Sequence, residues 1–199
     1  PAMNPAMWSH PATQANIATL RERGCAVVEP GCGRTACGEE GQGRLADLRE
    51  IYLAGLRALA PQDMEGIRVM VTLGPTREHW DGLRFWTNPS TGTMGAAVAV
   101  AAWLRGARVE AVCGPGTPWL PAGIARHNVG SARHMLEAAA SVWPQCDAGV
   151  FTAAVADFSP VHPAQGGNLM AGIIHLLPVP SHADRIHMVD IRRLPADTA

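Results

Sequence analysis

The stretch Thr87-Asn88-Pro89-Ser90-Thr91-Gly92-Thr93-Met94-Gly95 runs directly into a segment rich in Gly and Ala that reads as a helix. Small residues there let backbone amides approach an anion at the helix N-terminus, where the dipole already favours negative charge. The competing reading is a polar loop whose Ser90 or Thr91 caps the helix, and spacing alone leaves the two level. The segment matches neither G-x-x-x-x-G-K-[ST] nor G-x-G-x-x-G, so phosphate chemistry is indicated without the usual ATP or NAD fingerprints. Three more candidates follow apolar runs: Gly74-Pro75-Thr76-Arg77-Glu78, Gly114-Pro115-Gly116-Thr117, and Asp157. Each alone reads more readily as a turn, whereas three on one sheet edge point to a binding edge. Cys37 lies in a glycine-rich stretch beside Cys32, Glu39, Glu40 and Arg44. A lone loop cysteine is more often an incidental thiol than a catalyst.

The composition excludes several other chemistries. Sixteen basic residues stand against seventeen acidic ones, a net charge of −1. That leaves no summed positive field for nucleic acid or an anionic membrane. All sixteen are Arg, which removes a Walker lysine, a Schiff-base lysine and a lysine phosphate clamp. The five cysteines (Cys25, Cys32, Cys37, Cys113, Cys146) form no C-x-x-C and read as reduced thiols. None of the eight histidines has metal-ligand spacing, and each reads as solvated or core. The longest apolar run, Met94 to Leu104, is short of the roughly 18 residues a membrane span requires. No secretory signal is visible at Pro1-Ala2-Met3-Asn4, so the expectation is a cytoplasmic protein.

The elements that must position these residues follow from periodicity and punctuation. Pro11 to Arg23 predicts a helix, with Ser9 as its cap and Gly24 as its stop. Cys25 to Glu29 predicts a short buried strand, and Pro30 to Arg44, with its glycines and no apolar period, a long loop. Leu45 to Ala60 restores helical spacing, and 61–66 reads as a linker. Beyond it, strands at Ile67–Leu73, Ala107–Cys113 and Cys146–Ala154 alternate with helices at Met94–Arg105 and Ser131–Trp143. Near-continuous apolar strands between helices predict a doubly wound, mostly parallel α/β sheet covered on both faces. Trp80 and Trp86, flanking one loop, read as packing residues.

Five segments taken in order resemble one family: Pro1-Ala-Met-Asn4-Pro-Ala-Met-Trp8, Ala36-Cys37-Gly38-Glu-Glu-Gly41-Gln-Gly43-Arg44, Gly74-Pro-Thr-Arg-Glu78, Asn88-Pro-Ser-Thr-Gly-Thr-Met-Gly95 and Ala153-Ala-Val-Ala-Asp157. The family is the bacterial bifunctional flavoprotein of coenzyme A biosynthesis, phosphopantothenoylcysteine decarboxylase joined to phosphopantothenate-cysteine ligase. The resemblance spans about residues 1 to 160. It implies that 1–60 is the C-terminal part of a flavodoxin-like, FMN-dependent decarboxylase domain and that 67–165 begins a Rossmann-like, CTP-dependent ligase domain. From about residue 166 the chain departs from the family, and Ser159 to Asn168 stands without a lysine where the family has a lysine-rich loop. The tail 166–199 is therefore expected to diverge from the family's continuation.

The resemblance implies two reactions. In the ligase, CTP activates the carboxylate of 4'-phosphopantothenate as an acyl-cytidylate, and cysteine displaces CMP, with Mg²⁺ offsetting the triphosphate. Asn88 matches the residue that handles the acyl-cytidylate, and Asp157 matches a nucleotide contact. Phe151, Thr152 and Ala153 match strand-end residues facing CTP, while Gly74, Ser90, Gly92 and Gly95 line the phosphate approach. In the decarboxylase, Asn4 matches the residue that orients substrate near FMN, and Cys37 the cysteine that protonates the enethiolate. A homo-oligomer is implied as well. Two other readings stay open on the residues: a non-catalytic nucleotide- or flavin-binding regulatory protein, and a Rossmann oxidoreductase, the latter opposed by the missing G-x-G-x-x-G. Because the segment resembling the decarboxylase is only its last third, the chain by itself is expected to hold FMN weakly or not at all. A yellow preparation with stoichiometric flavin absorbance would contradict this.

Overall fold

The computed structural model describes residues 1–160 and 176–178. The chain divides into two compact units, Pro1–Ala60 and Pro61–Ala199. No helix among the described residues is long and apolar enough to cross a membrane.

In the first unit, α1 (Pro5–Ser9) and α2 (Pro11–Glu22) precede an antiparallel pair, β1 (Gly31–Arg34) and β2 (Glu40–Arg44), and then α3 (Leu48–Leu59). Proline supplies the first residue of both α1 and α2, where its missing N–H costs nothing. The cap of α2 is His10, whose Nδ1 accepts from the Ala12 amide at 3.2 Å, and not Ser9, which closes α1. Cys25 to Glu29 does not form the expected strand, since no described segment pairs with it. The expected loop is instead the β1–β2 hairpin. Gly33, Gly41 and Gly43, all at positive φ, let it lie flat against α1, and a Cβ on Gly43 would overlap the Met3 carbonyl. Leucines, Ile51 and Tyr52 give α3 its apolar period, yet none of its residues is buried.

The second unit holds a four-stranded, fully parallel sheet in the order β7 (Ala125–Asn128), β6 (Arg108–Cys113), β3 (Arg68–Leu73), β8 (Ala148–Phe151). Alternation along β3 sorts its side chains. Val69, Val71 and Leu73 join the cluster under α4 (Thr93–Leu104), whereas Met70 faces Met135 and Val142 of α5 (Ala132–Val142). The chain is thus an α/β protein with a parallel sheet between helices, as periodicity predicts. Gly95, Ala96, Ala99 and Ala102 form the buried stripe of α4, and their small size lets the helix sit close on β3.

Two features escape the hydrophobic pattern. β4 (Arg77–His79) and β5 (Phe85–Thr87) make a short antiparallel hairpin, tied by an edge-to-face pair of Trp80 and Trp86 with centroids 4.5 Å apart. The polar segment Ala-Arg-His-Asn forms edge strand β7. A 3₁₀ turn (Trp143–Gln145) leads into β8, and β9 (Phe158–Pro160) pairs antiparallel with β10 (Leu176–Pro178). The stretch expected as a linker, 61–66, runs in turns held to the end of α4, with the Met64 amide on the Arg105 carbonyl at 2.9 Å and Asp63 paired with the Arg105 guanidinium. Apart from 176–178, the expected divergent tail lies outside the described residues.

The tightest crossing is where Gly114 passes Pro75, because a Cβ on Gly114 would fall inside the Pro75 carbonyl oxygen. Gly116, two residues on, faces open space and is constrained only by its φ of +74°. Gly114→Ala should therefore cost roughly 3 kcal/mol or more, and Gly116→Ala about 1 kcal/mol. Urea midpoints at unchanged m-value check this, and equal costs would rule out the crossing as the constraint.

Candidate functional site

The carboxyl ends of β3, β6 and β8 converge on the segment that follows β3. The Ala154 amide donates to the Gly74 carbonyl at 2.9 Å, and the Thr76 amide returns the bond to the Ala154 carbonyl at 3.4 Å. Thr76 is fully buried, and its hydroxyl accepts from the Ala156 amide at 3.0 Å. Asn88, just after β5, donates Nδ2 to the carbonyls of Ala154 at 3.3 Å and Val155 at 3.0 Å. Three segments distant in sequence thereby fix the exposed Asp157 at the rim of one edge. Sequence reading did not assign Thr76 a role, although it lies inside a quoted segment; only its zero exposure and partner identify it.

Gly92 takes the cap position of α4 in the left-handed conformation and makes no side-chain cap bond. Neither Ser90 nor Thr91 caps the helix in the usual way. Ser90 Oγ accepts from the Gly92 amide at 3.3 Å, and Thr91 Oγ1 from the Thr93 amide at 3.4 Å. The first turn of α4 therefore has amides that no side chain satisfies among the described residues, the arrangement an anion can complete. Gly95 is committed elsewhere: a Cβ there would overlap Thr152 Oγ1 and Leu73. Its smallness serves helix–sheet contact. Thr152 donates its amide at 3.0 Å and its hydroxyl at 2.8 Å to the Thr72 carbonyl, while the Phe151 ring packs 6.1 Å from Trp143. Gly74, at φ +82°, lies under Thr117, which is itself held by the Arg126 guanidinium.

The other candidates meet in the first unit. Asn4 caps α1, accepting from the Met7 amide at 3.0 Å, and gives its Nδ2 hydrogen to Glu39 Oε2 at 2.7 Å. Cys37, exposed in the β1–β2 turn, lies 3.0 Å from the Thr35 hydroxyl. That hydroxyl, followed by the Glu39 backbone, holds the Cys37 thiol below its usual range. Cys32 has no such neighbour. All five cysteines are free, and burial pushes the Cys113 and Cys146 thiols up. Among the described residues no group of three His, Cys, Asp or Glu could hold a metal ion.

Comparison with known proteins gives the family. The family model of the DNA/pantothenate metabolism flavoprotein C-terminal domain matches residues 64–167, just over half of the chain. The chain belongs to this family. A second model, Flavoprotein, matches residues 1–56, ahead of the pantothenate-flavoprotein domain. The chain is 45% identical over 170 residues to the coenzyme A biosynthesis bifunctional protein CoaBC of Mycolicibacterium smegmatis, covering 82% of this chain and 41% of that protein. It is 44% identical over 164 residues to the protein of the same name from Bacillus subtilis, covering 80% and 40%. The chain thus spans about two fifths of these relatives' length. Among solved structures, it resembles the C-terminal domain of a CoaBC protein, with a TM-score of 0.53, 37% identity, and 60% and 57% of the two chains covered. The DNA/pantothenate metabolism flavoprotein from Streptococcus pneumoniae, 18% identical at a TM-score of 0.51 over 58% and 62% of the two chains, shares the fold.

One buried acid closes the turn of the β4–β5 hairpin. Asp81, its side chain 1% exposed, accepts the amides of Leu83 and Arg84 through Oδ1, both at 2.7 Å. The Leu83 amide first and the Arg84 amide next hold its carboxyl below the usual range. A depressed native pKa stabilises the fold above the unfolded value of about 3.9, and that contribution is lost as pH falls through the lower native value. Asp81→Asn should flatten the loss of stability between about pH 5 and pH 2. Identical acid profiles for the two proteins would contradict this origin.

Proposed function

We propose that this chain carries part of the ligase and part of the decarboxylase of coenzyme A synthesis: CTP-dependent joining of cysteine to 4'-phosphopantothenate, and FMN-dependent decarboxylation of the product. The observation that supports the ligase reading most is the hydrogen-bonded unit of Thr76, Asn88 and Ala154–Ala156, which puts Asn88 and Asp157 on one edge beside the uncapped start of α4. Such an edge suits a phosphorylated substrate and a nucleotide held by backbone groups.

In the ligase half, CTP and 4'-phosphopantothenate are substrates. The first-turn amides of α4, approached across Gly74, Ser90 and Gly92, meet phosphate oxygens. Asp157, with the backbone of 151–153, meets the cytidine. The Nδ2 hydrogens of Asn88 are engaged by the Ala154 and Val155 carbonyls, which fixes the side chain and leaves its Oδ1 as the group open to the acyl-cytidylate. When the carboxylate is converted to an acyl-cytidylate, the poor leaving group becomes CMP, and the cysteine amine forms the amide as the acyl–phosphate bond breaks. Mg²⁺ arrives with the triphosphate, whose charge it offsets.

In the other half, FMN when bound supplies the oxidation that lets the carboxylate depart. The chain's own residues orient and protonate. Asn4 is fixed by its cap bond and by Glu39, and Cys37 presents an exposed S–H whose conjugate thiolate is stabilised where it stands. An exposed thiol whose pKa the Thr35 hydroxyl and the Glu39 backbone lower fits a proton donor to an enethiolate.

A regulatory role without turnover is the second reading, favoured by the complete lack of lysine. Incubation with CTP, cysteine and 4'-phosphopantothenate separates the two, since ligation releases pyrophosphate and CMP and simple binding does not. Asn88→Ala should lower amide formation by roughly 100-fold and CTP affinity much less. Equal losses in both would remove the assignment of Asn88, and CTP binding without any ligation would establish the regulatory reading.

A further inference from the structure

Thr35 belongs to none of the segments that carry the resemblance, yet its hydroxyl is hydrogen-bonded to the Cys37 thiol. Thr35 Oγ1 lies 3.0 Å from Cys37 Sγ and 3.0 Å from the Glu39 carbonyl, to which it donates. The same carbonyl also accepts from the Thr35 amide at 2.8 Å, and the Gly38 amide closes the turn on the Thr35 carbonyl at 3.0 Å. A hydroxyl has one hydrogen to give and lone pairs to receive with. While Cys37 is a thiol, its S–H points to Thr35 Oγ1 and the Thr35 hydrogen points to Glu39. Once Cys37 has given up its proton, the sulfur can only accept, and the hydroxyl can rotate to donate to it. The Glu39 carbonyl keeps the Thr35 amide, so this rotation orphans no group.

We propose that Thr35 is a positioning residue for Cys37, a hydroxyl rotor that accepts from the thiol and donates to the thiolate and so controls how readily Cys37 gives up its proton. The inference rests on the reading of Cys37 as proton donor, where the S–H bond breaks, the proton passes to the substrate carbon, and the electron pair stays on sulfur. A bond from a neutral hydroxyl to a sulfur anion is charge-assisted and stronger than the one it replaces. Glu39 has a double part: its carbonyl anchors the rotor, and its carboxylate fixes Asn4 at 2.7 Å.

The test is the pH profile of alkylation by iodoacetamide, read for each cysteine by peptide mapping of the full chain. Thr35→Val keeps the shape and removes the hydroxyl, and Thr35→Ser restores it. The midpoint for Cys37 should rise in Thr35→Val, with its alkylation rate near neutral pH falling roughly three- to tenfold, and return in Thr35→Ser. Cys25 and Cys32, both exposed, should be unchanged, while protection of the buried Cys113 and Cys146 and an unaltered far-ultraviolet circular dichroism spectrum report that the chain is folded. Should the valine variant disturb Cys32 as well, Thr35→Ala takes its place with the same expectation. An unmoved Cys37 midpoint in both variants, or serine behaving like valine, overturns the proposal. The role of Cys37 itself is read separately, by loss of decarboxylation when the matching cysteine is changed to serine in a full-length bifunctional relative that holds FMN. Decarboxylation that survives that change would sink the proton-donor reading while leaving the alkylation result intact.

Discussion

The bonds between the end of β3 and the end of β8 are the constraint on which the ligase-like edge depends. Parallel strands cannot turn into one another, so their carboxyl ends leave backbone groups that something else must satisfy. Here they satisfy each other. Gly74 and Thr76 bind Ala154 and Ala156 through three bonds, and Pro75 bridges to Ala154 between them. With both segments fixed, the loop carrying Asp157 has a single place to go, and Asn88 needs only one side-chain amide to lock the hairpin to it. The same closure explains the glycines. Gly74, Gly92 and Gly114 lie backbone against backbone, and any side chain among them would pry the ends apart.

A second connection runs from the hairpin into the opposite layer. Glu78, buried on β4, accepts the Ala132 amide at 2.8 Å and so stands at the start of α5, where a carboxylate also meets the favourable end of the dipole. The adjacent Arg77 amide bonds the Gly130 carbonyl at 2.8 Å. Three residues of strand, too short to pair stably alone, are thus held by the helix layer and the Trp80–Trp86 contact. That is why no periodicity announced them.

The parts legible in the sequence were those set by long apolar runs. Strands β3, β6 and β8 follow from near-continuous apolar runs, and helices α4 and α5 from small and apolar residues that bury one stripe each. The glycine-rich stretch 30–44 was misread because glycine normally signals a loop, whereas here its freedom at φ serves close packing of a hairpin on α1. The α3 stripe was legible as a helix, but its burial was not, for Leu48, Tyr52 and Leu59 remain exposed. Of the proposed site, Asn88, Asp157 and Cys37 come from the resemblance and not from spacing, which by itself reads Cys37 as an incidental thiol. The Thr76 and Thr35 hydroxyl bonds follow no spacing at all, and only the folded chain shows them.

Charge compensation at the edge follows from where the arginines have gone. Arg126 spends its guanidinium on Asn128, Pro118 and Thr117, Arg77 lies 4.5 Å over the Phe85 ring, and Arg84 faces Asp81. Each of these cations serves the scaffold that shapes the edge. Without lysine, the first-turn amides of α4 are what the described residues can turn directly toward a phosphate, in the field of Arg126 and Arg77, whose neutral partners leave their charge in place. Backbone amides cannot move to follow charge as a lysine can, so their value depends on being held in place before the ligand arrives. The rigidity of the edge, built from the Thr76, Asn88 and Gly114 contacts, is therefore part of its electrostatics.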